Sequence, residues 1–60
     1  MRFKVGQVYV SGDGQHSAVV VEIRSEDREC LLRIDGGREE WFLWTELHQA
    51  GRWRLREAAN

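Results

Sequence analysis

Two histidines lie close to carboxylates in the chain: His16 follows Asp13 by three positions, and His48 follows Glu46 by two. A histidine beside a carboxylate is the smallest kit for acid–base work. Both pairs fall in polar turn segments, where such neighbours are ordinarily just solvated. Cys30 is the only cysteine. It alternates with Leu32 and Ile34, the pattern of a buried, inert thiol. Cys30, His16 and His48 show neither CxxC nor HxxxH spacing, so no metal site is expected. Ser11-Gly12-Asp13-Gly14 has the glycines of a phosphate cradle, but no P-loop lysine and no following helix. It reads as a hairpin turn. The expectation is a protein that is not an enzyme and carries no cofactor.

Binding has better support, and the segment that raises it is EEWFLW, residues 39–44. Neighbouring side chains of a strand point to opposite faces, so Trp41 and Leu43 share one face and Phe42 and Trp44 the other. The plainer reading places Trp41 and Leu43 in the interior. They would join Val8, Val10, Val19, Val21, Ile23, Cys30, Leu32, Ile34, Trp53 and Leu55, while Phe42 and Trp44 cover one end. The sharper reading leaves Phe42, Trp44 and Tyr9 exposed, with Leu31 and Val20 on outer faces. Apolar patches of that kind mark interfaces, and aromatic side chains dominate binding hot spots. Tyr9, Phe42, Trp44 and Leu31 are therefore the interface candidates, with a second copy of the chain or another protein as partner.

A second set is the stripe Arg52, Arg54 and Arg56, spaced two apart as on one face of a strand. Such a stripe suits phosphates, with aromatic rings beside it to stack bases. The plainer reading pairs these arginines with Glu22, Glu39 or Glu40 on neighbouring strands. With a formal net charge of -1, the chain lacks the basic balance of a dedicated nucleic-acid binder, and nucleic acid stands second to protein. An aromatic cage for a methylated amine, built from Tyr9, Trp41, Phe42 and Trp44 with Glu39 or Glu40, is a further arrangement of the same residues.

The elements that must position these groups are short. Sixty residues make a single domain, 1–60, and a chain of this size buries only about 60% of its unfolded surface. Small domains compensate with disulfides, metals or oligomerisation. One cysteine excludes an intrachain disulfide, which leaves core quality and self-association. Charged residues make up 32% of the chain, as on a soluble, mixed-sign surface. Nearly all its basic residues are arginine, as GC-rich coding also gives. No apolar run approaches the roughly 20 residues of a membrane span. MRFKVGQ has no apolar signal-peptide region, and an unpaired thiol without an export signal points to the cytoplasm.

Glycines and polar clusters punctuate the chain at SGDGQ (11–15), SEDRE (25–29), DGG (35–37) and HQAG (48–51). Between them lie segments of strand character: 7–10, 17–24, 30–34 and 38–44, the first three alternating or β-branched. Asp35-Gly36 is among the strongest hairpin signals, because both residues tolerate positive φ. Residues 45–48 form one helical turn with Thr45 as N-cap, ended by Gly51. RWRLR (52–56) then alternates as a fifth strand. The competing reading, an α+β meander with a helix over 44–59, aligns Leu47, Gly51, Leu55 and Ala58 but places a glycine mid-helix, costing about 1 kcal/mol.

The expected class is mainly β: five antiparallel strands with one helical turn before the last. That element order resembles the SH3-like small barrels, which include Tudor modules. The resemblance is one of architecture: it implies a strongly bent sheet and carries over no functional residue. The expected role, a non-catalytic interaction module, rests on the apolar patch.

Overall fold

The computed structural model describes residues 3–49 and 52–57. Five antiparallel strands form one sheet: β1 (Val8–Ser11), β2 (Ser17–Arg24), β3 (Glu29–Ile34), β4 (Arg38–Leu43) and β5 (Trp53–Glu57). One short helix, α1 (Trp44–His48), precedes β5. The spatial order is β4-β3-β2-β1-β5, so the fifth strand returns to pair with the first and the edges are β4 and β5. The strand reading of the last third holds against the long helix. Gly51 and Ala58, which figured in that choice, lie outside the described residues.

The hairpins form where the turn chemistry places them. Asp35 (φ 52°) and Gly36 (φ 74°) both occupy the left-handed region, and Gly37 N–H donates to Ile34 O at 3.0 Å. Two positive φ angles in succession make the primed turn whose twist matches a hairpin. At the β1–β2 turn, Ser11 Oγ donates to Asp13 Oδ1 (2.6 Å), Gln15 N–H donates to the same oxygen (3.0 Å), and His16 N–H donates to Ser11 Oγ (3.0 Å). The segment expected as a hairpin turn is one. Before β1, Lys4 N–H donates to the buried Gln7 Oε1 (2.9 Å), and Gly6 N–H reaches Val20 O (2.8 Å), tying the entering chain to β2.

The N-cap lies two residues earlier than expected. Leu43, not Thr45, holds the N-cap position without a side-chain cap bond, and Glu46 reaches back to accept the Leu43 N–H at 2.9 Å. A carboxylate in the first turn also faces the positive end of the helix backbone. Leu47 is the buried residue of this helix, and Trp44 packs against the core beside it. No helix among the described residues is long and apolar enough to cross a membrane.

The core differs from the expected set. Tyr9, Ala18, Val20, Cys30, Leu32, Ile34 and Leu47 are buried, with Phe3, Ile23, Phe42, Trp44 and Trp53 packed against them. On β1 the inward residue is Tyr9, and Val8 and Val10 are only half-buried. On β2 the inward residues are Ala18 and Val20, while Val19 and Val21 lie half-buried on the other parity. Ile23 nonetheless faces in as expected. The reason is a bulge: Val20 pairs with Leu32 and Glu22 with Leu31, leaving Val21 without an opposite number. One extra residue flips the alternation midway along the strand.

β4 is likewise reversed. Phe42 packs on the core, whereas Leu43 is 46% exposed and Trp41 lies half-buried on the outer face. The pairing dictates this: Phe42 sits opposite Cys30 and Trp41 opposite Leu31, and cross-strand partners share a face. Leu55, also expected inside, is 43% exposed on the edge strand β5, while its neighbour Trp53 keeps its contact with the core.

Candidate interaction surface

β4 divides its aromatic residues between two environments. Inward, the Phe42 and Trp53 rings meet edge to face, centroids 6.0 Å apart at 75°. They bring β4 and β5, the two unpaired edges, together across the core. Trp44, the first residue of α1, packs its ring against Phe3 (5.3 Å), which also stacks on His48 (5.3 Å, 16°). Of the interface candidates, Tyr9 is 2% exposed and so is core. Phe42 and Trp44 are half-buried and inward. Val20, expected on an outer face, is fully buried. Leu31 does lie on the outer face.

Outward, Leu31 pairs across the ladder with Trp41, and Glu29 pairs with Leu43. Leu31, Trp41 and Leu43 therefore occupy adjoining positions at the free edge of the sheet. Arg24, on β2, reaches across β3 and places its guanidinium carbon 4.1 Å from the centre of the Trp41 ring. That contact covers part of the indole while leaving the charge in water. Beside the patch, Arg33 Nε and Nη2 both donate to Glu39 Oε2 (3.0 and 2.7 Å). Glu22 and Glu29 complete a rim of both signs, Glu22 standing opposite Leu31. Sequence reasoning missed Trp41 and Leu43 as surface residues because their parity was assigned to the interior. The signal available was the charge at Arg24 and Glu22, which share their face.

The arginine stripe does not act as one row. Arg54 and Arg56 line one shallow concavity with Val10, Gly14 and Leu55. Arg52 lines another with Trp53 and Phe42.

His16 takes Asp35, not Asp13, as its partner: Nδ1 lies 2.7 Å from Asp35 Oδ2. The pair bridges the β1–β2 and β3–β4 turns, and Asp35 Oδ1 also accepts Ser17 N–H at 3.1 Å. The hydrogen bond to Asp35 holds the imidazole above its ordinary range. The same bond, with the Ser17 N–H, holds Asp35 below the usual carboxylate range. Asp13 is lowered by the Ser11 hydroxyl and the Gln15 N–H. Nothing in the sequence links residues 16 and 35. His48 stacks on Phe3, and Glu46 serves the helix cap, so that second pair is not assembled.

At the centre of the core, Tyr9 Oη and Trp44 Nε1 are buried without hydrogen-bond partners among the described residues. Both lie near Cys30. Burial pushes the Cys30 thiol up, and the Trp44 N–H works against that shift; its approach to the sulfur falls short of a full hydrogen bond. Burial likewise raises the Tyr9 phenol, with the neighbouring Cys30 adding to the rise. No three histidine, cysteine, aspartate or glutamate side chains are grouped to hold a metal ion among the described residues. No protein-family model matches the chain, and searches of curated proteins and of solved structures found no significant match.

Proposed function

We propose that this chain is a non-catalytic interaction module that self-associates through the outer face of β3 and β4. The observation that carries the reading is the adjoining placement of Leu31, Trp41 and the 46%-exposed Leu43 at an unpaired sheet edge. The rim holds Glu22 and Glu29 beside Arg24 and Arg33, so the surface offers both of the signs that an isologous dimer pairs across its axis. A 60-residue chain with one cysteine also gains stability from burying this patch, because association and folding are linked by mass action.

The SH3-like reading belongs to the same proposal. Its support is the pairing of β5 with β1 and the Phe42–Trp53 contact that draws the edge strands together. A cytoplasmic location fits the buried free thiol.

Sedimentation of the parent chain across a concentration series tests the interface. The expected result is a mass rising from monomer toward dimer, with Leu43→Ser and Trp41→Thr shifting the rise to higher concentration while dilute samples keep their strand signal. A parent that stays monomeric to millimolar concentration overturns the reading. Adding a generic oligonucleotide at two salt concentrations separates the nucleic-acid alternative, since phosphate contacts weaken steeply with salt.

A further inference from the structure

Between the two edge strands lies a concavity of about 310 Å³, within the lower range of small-ligand sites. Its apolar lining is Ile34, Phe42 and Trp53. Its charged lining is His16, Asp35, Arg38, Glu40 and Arg52. The two acids are already engaged: Asp35 with His16 at 2.7 Å, and Glu40 Oε2 with Arg38 Nε at 3.1 Å. The Arg52 guanidinium donates to the Gln49 side-chain oxygen, at 3.4 Å. Among the described residues, it is the lining charge without an ionic partner. Its backbone is fixed, because Gly12 N–H donates to Arg52 O at 2.8 Å.

One unmatched guanidinium beside two aromatic rings selects for a single negative charge on an apolar body. A guanidinium fork matches a carboxylate in two-point geometry, and the exposed parts of Phe42 and Trp53 offer an aromatic floor. Asp35 and Glu40 on the same rim disfavour a polyanion such as a nucleic-acid backbone. We infer that the cleft between β4 and β5 is a binding site for an apolar carboxylate, with Arg52 holding the anion and Trp53 and Phe42 the apolar body. This site faces away from Leu31, Trp41 and Leu43, and it does not depend on self-association. The carboxylate has two possible sources, a free small molecule or the C-terminus of a partner polypeptide.

Titration of the isotopically labelled chain followed by amide and indole NMR shifts tests the inference, with phenylacetate and a tetrapeptide ending in phenylalanine as probes. The expected result is a saturable shift of the Trp53 indole N–H, weak as suits ligands of this size, that Arg52→Gln weakens by about fivefold, the upper end for an exposed ion pair. Arg54→Gln, in the other concavity, leaves it unchanged. Amidating the peptide terminus abolishes its shift if the source is a polypeptide. Binding of phenylacetate without the peptide assigns a small molecule. Absence of saturable shifts with both probes overturns the site, as do shifts indifferent to Arg52→Gln or lost in Arg54→Gln. A Trp53 substitution is avoided because that ring also packs on the core.

Discussion

Phe42 and Trp53 touch edge to face across the gap between the two unpaired strands, 6.0 Å between ring centres. No backbone ladder joins β4 to β5 among the described residues, so this pair and α1 hold the edges together. Phe42→Ala is expected to cost about 3 kcal/mol, a large share of what so small a domain has in reserve. Leu43→Ala, one position along and facing outward, should cost only about 0.5 kcal/mol in the monomer. Urea unfolding of both variants at low concentration measures the contrast; equal losses would contradict the assigned facing of β4.

Tyr9 offers an opposite test. Its hydroxyl is buried without a partner among the described residues, and an unmet buried polar group is a cost rather than a gain. Tyr9→Phe removes only that oxygen, so it should be neutral or stabilise by up to about 1 kcal/mol. A clear loss in the denaturation midpoint would reveal a partner for the hydroxyl.

The His16–Asp35 bridge gives the fold a pH signature. His16 has a folded pKa raised above 6.5, so its contribution is full below that value and is lost as pH rises through the folded pKa. Asp35 has a folded pKa lowered below 3.8, so its contribution is full above that value and is lost as pH falls through the folded pKa. The bridge therefore stabilises most between the two ordinary values. The parent's thermal midpoint should drop from pH 5.5 to pH 8.5 by more than that of His16→Gln, melts being recorded at matched ionic strength. Identical drops would show that the bridge does not form in solution.

Gly36 and Gly37 are adjacent, and an added methyl would meet no atom within 4 Å at either. Only Gly36 has a left-handed φ, 74°. Gly36→Ala should therefore cost about 1 kcal/mol through backbone strain alone, while Gly37→Ala should be close to neutral. Their unfolding free energies, compared side by side, isolate the turn geometry from packing.

The elements were legible in the sequence, and so was the facing of β3, with Cys30, Leu32 and Ile34 inside, but not that of β1, β4 and the first half of β2. Ser17–Arg24 was bounded to the residue, the other four strands to within one, and the Asp35-Gly36 turn was read with its backbone conformation. These follow from local chemistry: β-branched runs, alternation, and residues that accept positive φ. Facing failed where apolar residues occupy both parities, as in Val19-Val20-Val21 and Trp41-Phe42-Leu43. There, a bulge or the register of a partner strand decides, and neither is a local property. Of the interface candidates, Leu31 lies on the outer face, and the residues beside it there are Trp41 and Leu43, which the parity error had hidden. The Arg52 cleft needs two strands from opposite ends of the sheet and was invisible for the same reason.

The bulge at Val21 also governs which changes in chain length the fold can absorb. Losing one of the three consecutive valines leaves Ala-Val-Val-Glu-Ile-Arg, a sequence that alternates without interruption. Ala18 and Ile23 then stay inside and Glu22 and Arg24 outside, and only the local bend disappears. A one-codon deletion within β3, such as Leu31, instead turns over every side chain on one side of the cut. Insertions and deletions in this chain should thus be filtered differently from strand to strand, and an alignment of divergent relatives should admit a gap in the middle of β2, where convention would place none.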